Sequence, residues 1–146
     1  MNREDFRHFY KLPVRWNDAD QLGHINNVEF FRYLECGRVD YCEQAMGIIY
    51  TTDMKEGWVL ADIQCSFQQQ LHYPCEIEIA SRISRIGNSS AEMLAAIFRV
   101  GESTPVAISK GIVVWLDFIE QVNKRVPDEY RKKIVDYEIL PPVSSE

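Results

Sequence analysis

The stretch that decides the reading of this chain is DADQLGHINNVE, Asp18 to Glu29. Two acids stand one residue apart, a glycine and a histidine follow, and an Asn-Asn pair opens a long, mostly apolar segment. Asn26 or Asn27 is a good helix cap, and Gly47 is a good stop. The spacing between them predicts one helix from Asn27 to about Met46. At 100° per residue, Glu29, Arg32, Asp40, Glu43 and Gln44 share a solvated arc. Phe30, Phe31, Leu34, Gly37, Tyr41, Cys42 and Ala45 occupy a wide apolar arc. An arc this broad predicts a helix covered on most of its circumference, as by a curved sheet. Glu35 and Arg38 fall inside it at i, i+3, a contact spacing, and are read as a buried ion pair.

Working outward, His8 to Trp16 reads as a strand, with Phe9, Tyr10, Val14 and Trp16 and with Pro13 opposing a helix. Downstream, VLADIQCSF (59–67) and EIEIASRIS (76–84) alternate with period two, the mark of half-buried strands. The turns Gly87-Asn88-Ser89-Ser90 and Gly101-Glu102-Ser103-Thr104 lead into AEMLAAIFRV and VAISKGIVVWLDF. Turns this short join antiparallel neighbours. A last short helix is predicted from Pro127 as an N1 proline, and the tail PPVSSE as frayed. A strand, a long helix and then a meander of about four strands is α+β.

The 146 residues fit one domain, spanning 1–146, that can bury a core without disulfides. The net charge of −6 argues against a nucleic-acid partner. No apolar stretch approaches about 18 residues, so no membrane span is expected. Cys36, Cys42, Cys65 and Cys75 lack a C-x-x-C spacing, and MNREDFRHFYK carries no hydrophobic run. The expectation is a cytoplasmic protein with reduced thiols.

Counted from Asp18, an EF-hand would use Asp18, Asp20, Gly23, Ile25 and Glu29. Leu22 in the fifth slot and a strand ahead of the loop oppose it. The three histidines have no metal-ligand spacing, and no G-x-S-x-G, Rossmann or P-loop pattern is present. Carboxylate chemistry remains: an Asp beside the unpaired N–H groups of a helix start can act on an activated carbonyl. The alternative is that Asp18 and Asp20 are turn residues and Asn26 an ordinary cap.

The run RWNDADQLGHINNVEFFRYLECGR resembles the motif D-x-D-x-x-G-H-x-N-N-x-x-[FY]-x-x-[FY]-x-E-x-x-R of the hot-dog acyl-CoA thioesterases, the 4-hydroxybenzoyl-CoA thioesterase family. FQQQLHYPCEIEI and IGNSSAEM are similar to that family's later strand entry and hairpin. The likeness runs from about Tyr10 to Phe118. It implies a single hot-dog domain, a long central helix wrapped by a curved antiparallel sheet, to which this chain adds the short C-terminal helix read from Pro127. Carried over by position, Asp20 is the catalytic carboxylate and Asn27 polarises the thioester carbonyl through its backbone N–H. His24, Asn26 and Ser90 would border the substrate, and Asp18 and Gly23 would shape the loop. The family's Pro-Leu is Gln70-Leu71 here, and its following Asp is Cys75.

The resemblance further implies an acyl-CoA or acyl carrier protein substrate, no cofactor beyond the coenzyme A within it, and a homodimer that can pair into a tetramer. Arg82, Arg85, Arg99, Lys110, Lys124 and Arg125 are the candidates for the CoA phosphates. A non-catalytic acyl-CoA binding module on the same fold is the alternative, and a hydratase, which needs a site histidine, ranks behind both.

Overall fold

The structure, a computed structural model, describes residues 1–145. Strand β1 (His8–Pro13) is followed by helix α1 (Asn27–Met46) and strands β2 (Glu56–Phe67), β3 (Glu76–Ile86), β4 (Ser90–Arg99) and β5 (Ala107–Asp117). A short β6 (Val122–Asn123), helix α2 (Asp128–Tyr137) and a short β7 (Val143–Ser144) complete the chain. The sheet order is β1-β3-β4-β5-β2, antiparallel throughout, with β6 on β5 and β7 parallel to β3. This curved antiparallel sheet around a central helix is the hot-dog fold, of α+β class.

The signals that predict α1 are the ones that build it. Asn26 caps it, its side-chain oxygen accepting from the Val28 N–H at 3.0 Å, and Gly47 ends it with φ +72°. Gly37 lets the helix lie down on β3, because a Cβ there would stand 2.4 Å from Ile79 Cγ2. Two apolar clusters fill the concave side. One, toward the start of α1, joins Ile25, Phe30, Leu34, Leu71, Ile77, Ile79 and Ile97. The other joins Tyr41, Met46, Ile83, Trp58, Trp115 and, from α2, Ile134. A third sits on the convex side, where Ala80, Ala96 and Phe98 alternate with the concave Ile79 and Ile97. The N-terminal segment straps across it. Phe6 is buried there, and the Arg3 guanidinium lies over the Phe9 and Phe98 rings and pairs with Glu78 at 2.8 Å.

Several expectations are corrected. The first strand ends at Pro13, and a 3-10 turn at Trp16–Asp18 follows because the Asp18 carboxylate draws back the Arg15 N–H and guanidinium. Trp16 is consequently exposed. Phe31 is also exposed, and Tyr33, which the hydropathy wheel left out, is buried. Strand β2 is not a meander neighbour of β3. It crosses to the far edge beside β5, and a bulge between Leu60 and Asp62 breaks its alternation. Leu60 and Ile63 thereby face the same side. Most of β2 from Leu60 to Phe67 is exposed. Pro127 has extended ψ and stands at the cap position, one residue ahead of α2. As far as Ser145 the tail is not frayed: Val143 and Ser144 pair with Arg85 and Ile86, and the Ser145 N–H donates to Ile86 O at 3.0 Å, while Glu146 lies outside the described residues.

Candidate active site

The DADQLGHINNVE loop is a small hairpin pinned on both sides. Ala19 faces Ile25, and the Asp20 N–H donates to His24 O at 2.7 Å. The Ile25 N–H donates to Leu71 O at 2.8 Å, and the Asn26 N–H to Asp18 O at 3.0 Å. Gly23 turns the hairpin at φ +81°, a conformation that favours glycine. The His24 and His72 rings meet edge to face at 4.9 Å beside it.

The two acids face opposite environments. Asp18 points inward and is 2% exposed. Its carboxylate accepts from the Tyr33 hydroxyl at 2.7 Å, the Arg15 N–H at 2.9 Å and the Arg15 guanidinium at 3.1 and 3.2 Å. Burial pushes its pKa up, but the Tyr33 and Arg15 donors outweigh that and hold the carboxyl below its usual range. Asp20 points to solvent. Its Oδ1 accepts from the Leu22 N–H at 2.8 Å and the His24 N–H at 3.2 Å. Among the described residues its Oδ2 accepts no hydrogen bond.

Asp20 opens on a cavity of about 600 Å³ lined also by His24, Asn26, Asn27, Phe30, Phe67 and Gln68 to Gln70. The start of α1 forms one wall. Its Val28 and Glu29 N–H groups are taken by Asn26, while the Asn27 N–H has no acceptor among the described residues. An ionisable oxygen and an unpaired helix-start donor therefore share one polar cavity, an arrangement that can hold a carbonyl and stabilise charge on its oxygen.

The opposite wall is absent from the sequence reading. The Gln68 and Gln69 N–H groups both donate to Val106 O, at 2.8 and 3.0 Å, and Arg99 clamps the segment by donating to Gln69 Oε1 and Gln70 O, at 2.8 and 2.5 Å. The QQQL run at a strand end, in place of the expected proline, was the available signal. Ser90 lies outside this cavity, at the start of β4. The Ile97 that packs near the loop is seven residues farther along that strand, roughly 23 Å away.

The Glu35–Arg38 ion pair is a correction. The two side chains do not close to salt-bridge distance. Glu35 is exposed on α1, and Arg38 is partly buried with no hydrogen bond or ion pair among the described residues. Desolvation pulls its pKa down, opposed by the field of Glu35. The expected phosphate-binding cations are largely engaged elsewhere. Lys110 pairs with Glu92, Lys124 with Glu56 and Arg125 with Asp128, and Arg82 donates to Leu140 O.

Comparison with known proteins follows the same lines. The chain is 31% identical over 138 residues to the acyl-acyl carrier protein thioesterase ATL3, chloroplastic, of Arabidopsis thaliana, covering 89% of this chain and 68% of that protein. The crystal structure of a thioesterase of Thermus thermophilus, complexed with coenzyme A and Zn, superposes with a TM-score of 0.77 at 27% identity, over 92% of this chain and 96% of that one. The PA5185 protein of Pseudomonas aeruginosa shares the fold with a TM-score of 0.85 at 24% identity, over 94% and 95% of the two chains. Residues 14–134 match the family model of the thioesterase-like superfamily, and the chain belongs to that superfamily.

Proposed function

We propose that the protein is a thioester hydrolase of the 4-hydroxybenzoyl-CoA thioesterase type, acting on an acyl group carried by the phosphopantetheine thiol of coenzyme A or acyl carrier protein. The observation that carries this reading is the open Asp20 Oδ2 beside the unpaired Asn27 N–H in one cavity. The carbonyl oxygen sits at the Asn27 N–H and the carbonyl carbon faces Asp20. In one route the carboxylate attacks that carbon and the C–S bond breaks. The thiolate leaves, and water hydrolyses the mixed anhydride. In the other, Asp20 takes a proton from water as the water oxygen attacks, and returns it to the departing sulfur. Both routes need an ionised Asp20 and both develop an oxyanion at the same N–H. His24 and Asn26 border the substrate. Asp18 and Gly23 hold the loop, and Ser90, outside the Asp20 cavity, meets a part of the substrate beyond it. No cofactor is required beyond the coenzyme A of the substrate. The protein works as a cytoplasmic homodimer, which covers the exposed edge of β2.

The test is thiol release from a panel of acyl-CoAs and acyl carrier protein thioesters. Asp20→Asn keeps the turn but loses the charge, and kcat falls by about 100-fold or more. If Asp20→Asn retains turnover, Asp20 is the wrong acid. If no substrate is turned over while acyl-CoA still binds, the protein is a binding module and not an enzyme.

A further inference from the structure

The outer side of α1 and the edge of β2 form one continuous surface with an unusual composition. Leu60 and Phe67 on β2 and Phe31 and Val39 on α1 are each more than a third exposed. Between helix and strand runs a groove of about 240 Å³, lined by Glu35, Arg38, Val39, Tyr50, Trp58 and Leu60 among others. The groove holds one cation and one anion that do not pair with each other. Arg38 is partly desolvated without a partner, and Glu35 stands exposed at the rim. Partial burial of an unpaired guanidinium costs free energy unless an anion meets it from outside the chain.

A second copy of this chain supplies that anion. An edge strand offers unpaired N–H and C=O groups, and two copies about a two-fold axis pair it antiparallel with itself. Pairing centred on the exposed run, residues 60–67, sets Phe67 against the partner's Leu60, so the apolar ends complement each other. An isologous contact also repeats every pairing twice, so an unpaired Glu35 and an unpaired Arg38 on one surface are a self-complementary set. We propose that Glu35 of each subunit pairs with the partner's Arg38 across a β2–β2 junction, and that these two trans ion pairs fix the register of the dimer. The inference rests on the homodimer proposed above. Phe67 is a wall of the Asp20 cavity, so the same junction would close that cavity's open side with the partner's strand. Asp62 is the exposed acid on β2, Glu43 is exposed on α1, and Asp40 on α1 is half-buried. Asp40 already accepts from His8 at 2.7 Å.

Charge reversal distinguishes trans from cis pairing. Glu35→Arg places Arg against the partner's Arg38 twice, and Arg38→Glu places Glu against the partner's Glu35 twice. Each variant alone should dissociate, with a dimer Kd raised about 100-fold or more in sedimentation equilibrium at low salt. Mixing the two should restore a heterodimer at near wild-type affinity, because both trans contacts then join opposite charges. A pair formed within one chain would gain nothing from mixing. Glu35 is exposed, so Glu35→Arg folds whatever Arg38→Glu does, and circular dichroism checks both. A wild-type monomer would overturn the homodimer and this inference together. A wild-type dimer with Glu35→Arg still dimeric would overturn the ion pairs alone. Folded single variants that dissociate without rescue on mixing, or dissociation by Asp62→Arg and not by Glu35→Arg, would also refute the pairing.

Discussion

Replacing Tyr33 by Phe should weaken the fold and spare the chemistry. Tyr33 is 4% exposed, and its hydroxyl donates to Asp18 Oδ2 at 2.7 Å, a buried bond to an ionised acceptor. Phe fills almost the same volume, so packing is kept and one donor is lost. Bonds to charged groups are worth about 1.5–3 kcal/mol. The exposed Arg15 guanidinium offsets little of that loss, because solvent screens its charge. For a chain of this size the cost corresponds to a Tm lower by about 3–12 °C. The pH dependence has a defined sign. The folded-state pKa of Asp18 lies below its unfolded value, so its contribution is present above the unfolded pKa of about 3.9 and is lost as pH falls through the folded one. The gap between wild type and Tyr33→Phe should therefore be full at pH 7 and should close in acid, which urea titrations at pH 7, 5 and 3 would read. Activity, measured well below both melting points, should change by no more than about twofold, since the free carboxylate oxygen belongs to Asp20. An unchanged melt, or a gap as large at pH 3 as at pH 7, would show that Asp18 does not draw its stabilisation from Tyr33.

Gly37→Ala should destabilise by about 1–3 kcal/mol, because the new methyl meets Ile79 on β3 and the helix must lift; a urea midpoint equal to wild type would show that α1 does not rest there. Glu138 is 6% exposed and caps the end of α2, accepting from the Tyr41 hydroxyl and from the Ile83 N–H at 2.9 Å. Burial raises its pKa, so its contribution is full below the unfolded value and falls as pH rises through the folded one. The Tm of Glu138→Gln relative to wild type should accordingly rise between pH 4 and pH 8, and a difference that is flat or falling contradicts the assignment.

What could be read in advance was local. Helix α1 announces itself because cap, stop and length lie within 22 residues, and β3, β4 and β5 do so because short turns join neighbours. The place of β2 was not readable, because its partner β5 lies some forty residues farther on, beyond the strand that follows it in sequence. A one-residue bulge at Ala61 also leaves no trace in composition, yet it turns Leu60 toward the same side as Ile63. The i, i+3 spacing of Glu35 and Arg38 permits an ion pair without compelling one. Nor does D-x-D say which acid turns inward. That depends on Tyr33, fifteen residues from Asp18 and outside the apolar arc, because its ring is buried to deliver a hydroxyl.

The strap laid by Arg3 and Phe6 over Phe98 and Ala96 has a consequence for motion. Strand β4 is hydrogen-bonded on both sides and shielded on both faces, so its amides should be the last in the molecule to exchange with deuterium. The slowest-opening part of the chain is then the middle of the sheet, while the Asp20 hairpin is secured by a few bonds at the rim. Breathing of that hairpin needs no opening of the centre, so the cavity beside it can open and close at a cost far below that of global unfolding.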